Sequence, residues 1–157
     1  MSGVDCRAEL QSRIRAETGI DEAMIVRVVH GFYDRVRADP LLGPVFAARI
    51  ADKDWPAHLG RMVRFWAAVI LMDGGYHGRP MQRHAGLPVD AAHFDRWLAL
   101  FREAAAELAP PRSAAVFVER AERIAESLET GIALAQRRDL GRAGAFRLPE
   151  ARPRGHQ

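Results

Sequence analysis

The chain has 157 residues, 48% hydrophobic and 27% charged, which suits one globular domain with a real core and excludes a disordered or fibrous class. The formal net charge is +3, and Lys53 is the only lysine; the arginines are interleaved with acids, as in Glu119-Arg120 and Glu122-Arg123, the pattern of solvated helix surface rather than of a nucleic-acid face. Cys6 is the only cysteine, so an internal disulfide and a thiolate metal cluster are excluded. The longest apolar run, residues 65–72, is too short to cross a bilayer, and the first residues carry no apolar signal core. A cytoplasmic protein without a membrane partner is expected.

Residues 1–18 mix apolar and charged positions without strong commitment, although Leu10, Ile14 and Ala16 allow a short helix. Asp21 is a good N-cap, and Glu22 favours the positive end of the helix that follows. From there Ile25, Val28, Val29, Phe32, Tyr33 and Val36 recur at helical spacing until Pro40. Tyr33 falls on or beside the buried face. Its hydroxyl needs a partner there, either a nearby carbonyl or a functional group. The connection Asp39-Pro40-Leu41-Leu42-Gly43-Pro44-Val45-Phe46 is compact and apolar, with Phe46 placed as a wedge or as a core residue.

A third helix opens at Trp55-Pro56-Ala57-His58, with Asp54 as cap and Pro56 in the first turn. One face holds His58, Met62, Phe65, Trp66 and Val69: a lone histidine among bulky apolar groups. Gly74-Gly75 is expected to end it. Pro80 and Pro88 then bracket a short helical window containing His84, with Gly86 just past its end. An imidazole fixed in this way serves as an axial ligand for haem iron, or simply as a helix-end histidine at a carbonyl dipole.

Asp90 is expected to cap the next helix, whose inward face carries Phe94, Trp97, Leu98, Phe101, Ala105 and Leu108. Trp97 puts an indole N–H on that face, costly unless bonded. Ala109-Pro110-Pro111 breaks the chain. A last helix spans about residues 112–137, with Val116, Phe117, Ala121, Ile124, Leu128 and Ile132 facing in. Beyond Gly141 the composition turns to Gly, Arg and Pro, and disorder is expected. His30, His77, His93 and His156 are expected to face solvent, His77 being the nearest rival to His84. No strand pattern, repeat, phosphate loop, zinc spacing or nucleophile elbow is present. The helix after Asp90 is too apolar and too acidic to read DNA.

The inward set therefore places Tyr33, His58, His84 and Trp97 among Phe32, Phe46, Met62, Phe65, Trp66 and Phe94. Buried polar groups in an all-helical domain need partners. A flat apolar cofactor with one metal and a small ligand would supply them.

These residues carry a family resemblance. The segments Phe32-Tyr33-Asp34-Arg35-Val36-Arg37, Asp39-Pro40-Leu41-Leu42-Gly43-Pro44-Val45-Phe46, Trp55-Pro56-Ala57-His58, Phe65-Trp66, Tyr76-His77-Gly78-Arg79-Pro80-Met81, His84 with Leu87-Pro88, and His93-Phe94-Asp95-Arg96-Trp97-Leu98 occur in order across residues 25–132. In that order and spacing the chain resembles the truncated haemoglobins of the third group. The resemblance implies an all-α, truncated globin-like helical sandwich around a pocket for haem b. His84 is implied as the proximal iron ligand, Tyr33 and Trp97 as distal donors, His58 as the histidine at the distal entrance, and Phe46 as the haem wedge. Met62, Phe65, Trp66 and Phe94 complete the implied haem-binding set.

The domain expectation is an extension over residues 1–18, a truncated globin domain over 19–138 and a basic, disordered tail over 139–157. Implied small ligands are O₂, NO or peroxide. Two distal donors favour slow O₂ release, which suits redox work more than carriage. A catalytic role, as an NO dioxygenase or peroxidase-like catalyst, needs an external reductase. The alternative is a haem-free all-α interaction module with a basic tail.

Overall fold

The structure is a computed structural model that describes the backbone of residues 3–72 and 89–145 and the side chains of residues 6–72 and 89–137. Every regular element among them is helical: α1 Gly3–Thr18, α2 Glu22–Ala38, α3 Leu42–Ala47, a 3-10 turn Asp52–Asp54, α4 Trp55–Leu71, α5 Ala91–Leu108 and α6 Pro111–Ala145. His84, His77, Gly74, Gly75, Gly86 and His156 lie outside the described residues.

Helix α2 starts where the sequence places it. The Asp21 carboxylate accepts the Met24 N–H at 2.8 Å, and Met24, Ile25, Val28, Val29, Phe32, Tyr33 and Val36 are buried along one stripe. That stripe packs on both α4 and α5, while α6 lies along α5 and reaches α4. The result is a two-layered helical sandwich. Its centre is aromatic: Phe32, Phe101 and Phe117 are fully buried, each contributing about 1.5–3 kcal/mol by burial. Trp66 stacks on Phe101 at 4.9 Å and 16°, and Trp97 stacks on Phe101 at 5.7 Å and 17°.

Several boundaries differ from expectation. Residues 3–18 form a full helix although their apolar residues make no clear stripe. Its side chains are mostly exposed, and its end is tied down by the Ser113 hydroxyl donating to Thr18 O at 2.7 Å. Gly19 then turns the chain at φ +71°, a conformation open to glycine. Helix α4 has no side-chain cap from Asp54, because the 3-10 turn before it already bends the backbone into helical conformation. It ends at Leu71, with Met72 in the left-handed region (φ 54°), ahead of the expected glycine pair. Helix α6 continues to Ala145, so the disorder expected from Gly141 is corrected for residues 141–145.

Candidate functional site

The α2–α3 corner builds the first wall. Asp39 closes α2, its N–H donating to Val36 O at 3.1 Å. Gly43 lets α3 fold back tightly, since a Cβ there would lie 2.9 Å from Arg37 O. This corner presents Leu42, Val45 and Phe46 to an apolar cleft of about 60 Å³, partly open to solvent. The opposite sides come from His93, Phe94 and Trp97 of α5 and Ala125, Leu128 and Ile132 of α6, with Val89 between.

A cluster of rings stands behind Phe46. Tyr33 is 6% exposed, with ring centroids 6.0 Å from Phe46, 5.7 Å from Trp55 and 5.3 Å from His58. His58, in the first turns of α4, meets Trp55 edge-on at 5.3 Å. On α5, Trp97 meets Phe32 edge-on at 5.3 Å. Trp97 is half-buried.

Of the sequence-predicted residues, Phe46, Phe94 and Trp97 line the cleft, Tyr33 stands behind Phe46, and His58 lies one ring further back, against Tyr33 and Trp55. Met62 and Phe65 are partly buried against the core. Trp66 sits in the core, stacked on Phe101.

Four residues escape the sequence reading. Trp55 is 3% exposed and carries the Arg37 guanidinium 4.6 Å above its ring, while Arg37 also binds Asp52 at 3.1 Å. His93, expected in solvent, instead lines the cleft with its side chain 18% exposed. It completes the cap of α5: its Nδ1 lies 2.9 Å from Asp90 Oδ1 and 3.2 Å from Asp90 N. That hydrogen bond holds the Asp90 carboxyl below its usual range. His30 is exposed as expected. Asp39 is the third: its buried carboxylate accepts Arg96 Nε at 2.7 Å and the N–H groups of Leu42 and Leu41 at 2.9 and 3.1 Å. Burial alone would raise its pKa. The Leu42 N–H, the Arg96 guanidinium and the Leu41 N–H outweigh burial and hold it below 3.8. The fourth is Arg61, whose Nε is buried with no hydrogen-bond partner among the described residues. An acidic residue followed by Pro, and a His three residues after an N-cap Asp, were the signals available for Asp39 and His93. Nothing local marks Trp55 or Arg61.

An apolar, aromatic-walled cleft beside a tyrosine and a histidine, on an all-helical sandwich, is the arrangement of a globin-like helical protein. A family model described as bacterial-like globin matches residues 16–130. The chain is 33% identical over 113 residues to the group 3 truncated hemoglobin ctb of Campylobacter jejuni, covering 70% of this chain and 89% of that protein. It is 38% identical over 72 residues to the group 1 truncated hemoglobin GlbN of Nostoc commune, covering 45% and 58%. The crystal structure of the group III truncated hemoglobin from Campylobacter jejuni matches with a TM-score of 0.68 at 32% identity, over 72% of this chain and 91% of that chain. The chain belongs to the bacterial-like globin family, as a truncated haemoglobin of the third group. Haem-iron binding of small ligands follows from the family, which sets aside the haem-free interaction module. No described helix is long and apolar enough to cross a membrane. Most of α1 and the last part of α6 fall outside the family match.

Proposed function

We propose that this chain binds haem b, which His84 would hold through its iron, and that Tyr33, Trp97 and His58 would hold a small ligand there. The reading extends to O₂ as the principal ligand, with NO or peroxide as further ones, and to a cytoplasmic setting. It is carried by one observation: an apolar cleft walled by Phe46, Phe94 and Trp97 adjoins the Tyr33–His58 ring pair.

The residues present suit a porphyrin. The lining of the cleft is almost wholly apolar apart from His93 and the Trp97 indole, as the flat apolar face of a porphyrin requires. Arg61, one turn beyond His58 on α4, has a buried guanidinium nitrogen that lacks a partner among the described residues. A carboxylate, such as a porphyrin propionate, would give it one. When bound, haem supplies an iron that coordinates a diatomic ligand. The protein's own work is to bound the pocket, to exclude water with the Phe46 and Trp55 rings, and to aim donors. The Tyr33 O–H and the Trp97 N–H would donate hydrogen bonds to a small ligand held there, more strongly the more negative charge it carries. Strong donation slows ligand loss, which favours redox chemistry on the ligand, with electrons from an external reductase, over carriage.

The test is the absorption spectrum of the purified protein, repeated on His84→Ala. An intense near-ultraviolet haem band in the wild type is expected, with altered position and weakened haem retention in the variant. A wild type without that band, after haem is offered, overturns the proposal. An unchanged spectrum in His84→Ala moves the axial ligand elsewhere.

A further inference from the structure

The cleft has two walls that meet at one buried carboxylate. Phe46, Val45 and Leu42 stand on α3, and Phe94 and Trp97 stand on α5. Helix α3 has only six residues and no side-chain cap, too short to hold its own position. It is held instead through Asp39. That residue's Oδ2 accepts the Leu41 and Leu42 N–H groups at the start of α3, and its carbonyl accepts the Gly43 N–H at 2.9 Å. The second carboxylate oxygen, Oδ1, accepts Arg96 Nε at 2.7 Å. Arg96 immediately precedes Trp97 on α5.

We propose that Asp39 and Arg96 form a positioning pair that fixes the α3 wall against α5 and thereby sets where the Trp97 indole N–H points in the cleft. The inference rests on the reading of this cleft as the haem-ligand pocket. The Asp39 side chain is 1% exposed, and the Arg96 side chain 44%. A carboxylate this deep, paired to a half-exposed guanidinium, is a poor device for net stability and a good one for geometry, because desolvation offsets much of the attraction while the hydrogen-bond directions remain exacting. Each partner also has a local reason to be rigid. Asp39 is fixed by four hydrogen bonds to backbone groups at the helix corner, and Arg96 lies on the second turn of a helix whose cap is closed by Asp90 and His93.

The experiment compares the wild type with Arg96→Gln and Asp39→Asn by two spectroscopies. The first is NMR of the indole N–H groups in the protein without haem, with the Trp97 signal assigned by its loss in Trp97→Phe. The second is the infrared C–O stretch of the haem-loaded ferrous protein, with carbon monoxide as the probe ligand. In both variants the Trp97 signal is expected to shift or broaden, with the core Trp66 signal displaced less. The C–O band is expected to split into several conformers. O₂ release should quicken several-fold while the fold persists by circular dichroism. A wild-type Trp97 signal and a single wild-type C–O band in either folded variant overturn the pair as a positioning device, even if its melting temperature falls. Failure of the wild type to take up haem overturns the haem reading instead, and the indole signals then still decide whether the pair orients Trp97. Should Arg96→Gln not fold, Asp39→Asn carries the test, since it keeps an acceptor for the α3 N–H groups.

Discussion

Trp97→Phe separates what the indole packs from what it donates. A phenyl ring keeps the stack on Phe101 and the edge contact with Phe32, so the cost to the fold should be about 1 kcal/mol, ordinary for a single substitution. What disappears is one N–H donor at the cleft. A hydrogen bond to a group bearing charge contributes roughly 1.5–3 kcal/mol, and about 1.4 kcal/mol is tenfold in an equilibrium. The ferrous variant should therefore release O₂ roughly ten- to a hundredfold faster. Tyr33→Phe, which keeps the ring contacts with Phe46, Trp55 and His58, should act in the same direction. If both donors serve one ligand, the double variant will fall short of the sum of the two effects. The assay is O₂ release followed by absorbance while carbon monoxide traps the freed iron. Wild-type release in both single variants would refute the polar distal pocket.

Three other outcomes follow from the packing and the charges. Phe101→Ala removes the ring that touches Trp66, Trp97, Phe32 and Phe117 and should destabilise by about 3–5 kcal/mol in urea unfolding; a loss below about 1 kcal/mol would mean that this aromatic column does not bear on stability. Asp39 has a depressed pKa in the folded chain, so its contribution is present above the ordinary carboxylate value and is lost as pH falls through the lower folded value. Unfolding free energy measured against pH should therefore fall less steeply below the ordinary value in Asp39→Asn than in the wild type, and parallel curves would argue against the shift. In Gly43→Ala the new methyl meets the Arg37 carbonyl, so α3 must move. Faster haem transfer to an apo-globin acceptor is the expected readout, and unchanged transfer would show that the corner tolerates the displacement.

The long helices were legible because each is a one-dimensional pattern. Helix α2 shows its stripe and its Asp21 cap, and α5 its Asp90 cap, within a few residues of sequence. Helix α1 was not legible for the opposite reason. Its order depends on Ser113 and Arg112, which bond carbonyls at its far end from about 95 residues away. Helix α4 ends ahead of the glycine pair because Met72 itself takes the left-handed turn that glycine adopts most readily. In α6, the gain in Gly and Arg near residue 141 does not end the helix, which runs on to Ala145 because each residue added to a helix already formed brings one further hydrogen bond.

Periodicity and spacing gave the helical class and put Tyr33, His58, Phe94 and Trp97 on inward faces, because a residue's helical face is set by its neighbours three and four positions away, while Phe46 stood out in an apolar connection and the roles of all five came from the family resemblance. Tertiary structure decided which of these share a space: Phe46, Phe94 and Trp97 in the cleft, Tyr33 and His58 behind it, and Trp66 in the core. It also brought in Trp55, His93, Arg61 and the Asp39–Arg96 pair. The physical reason is range. An apolar stripe is a local property of the chain, but a cleft, a ring stacked across helices, and a carboxylate bonded 57 residues away exist only once separate helices have packed.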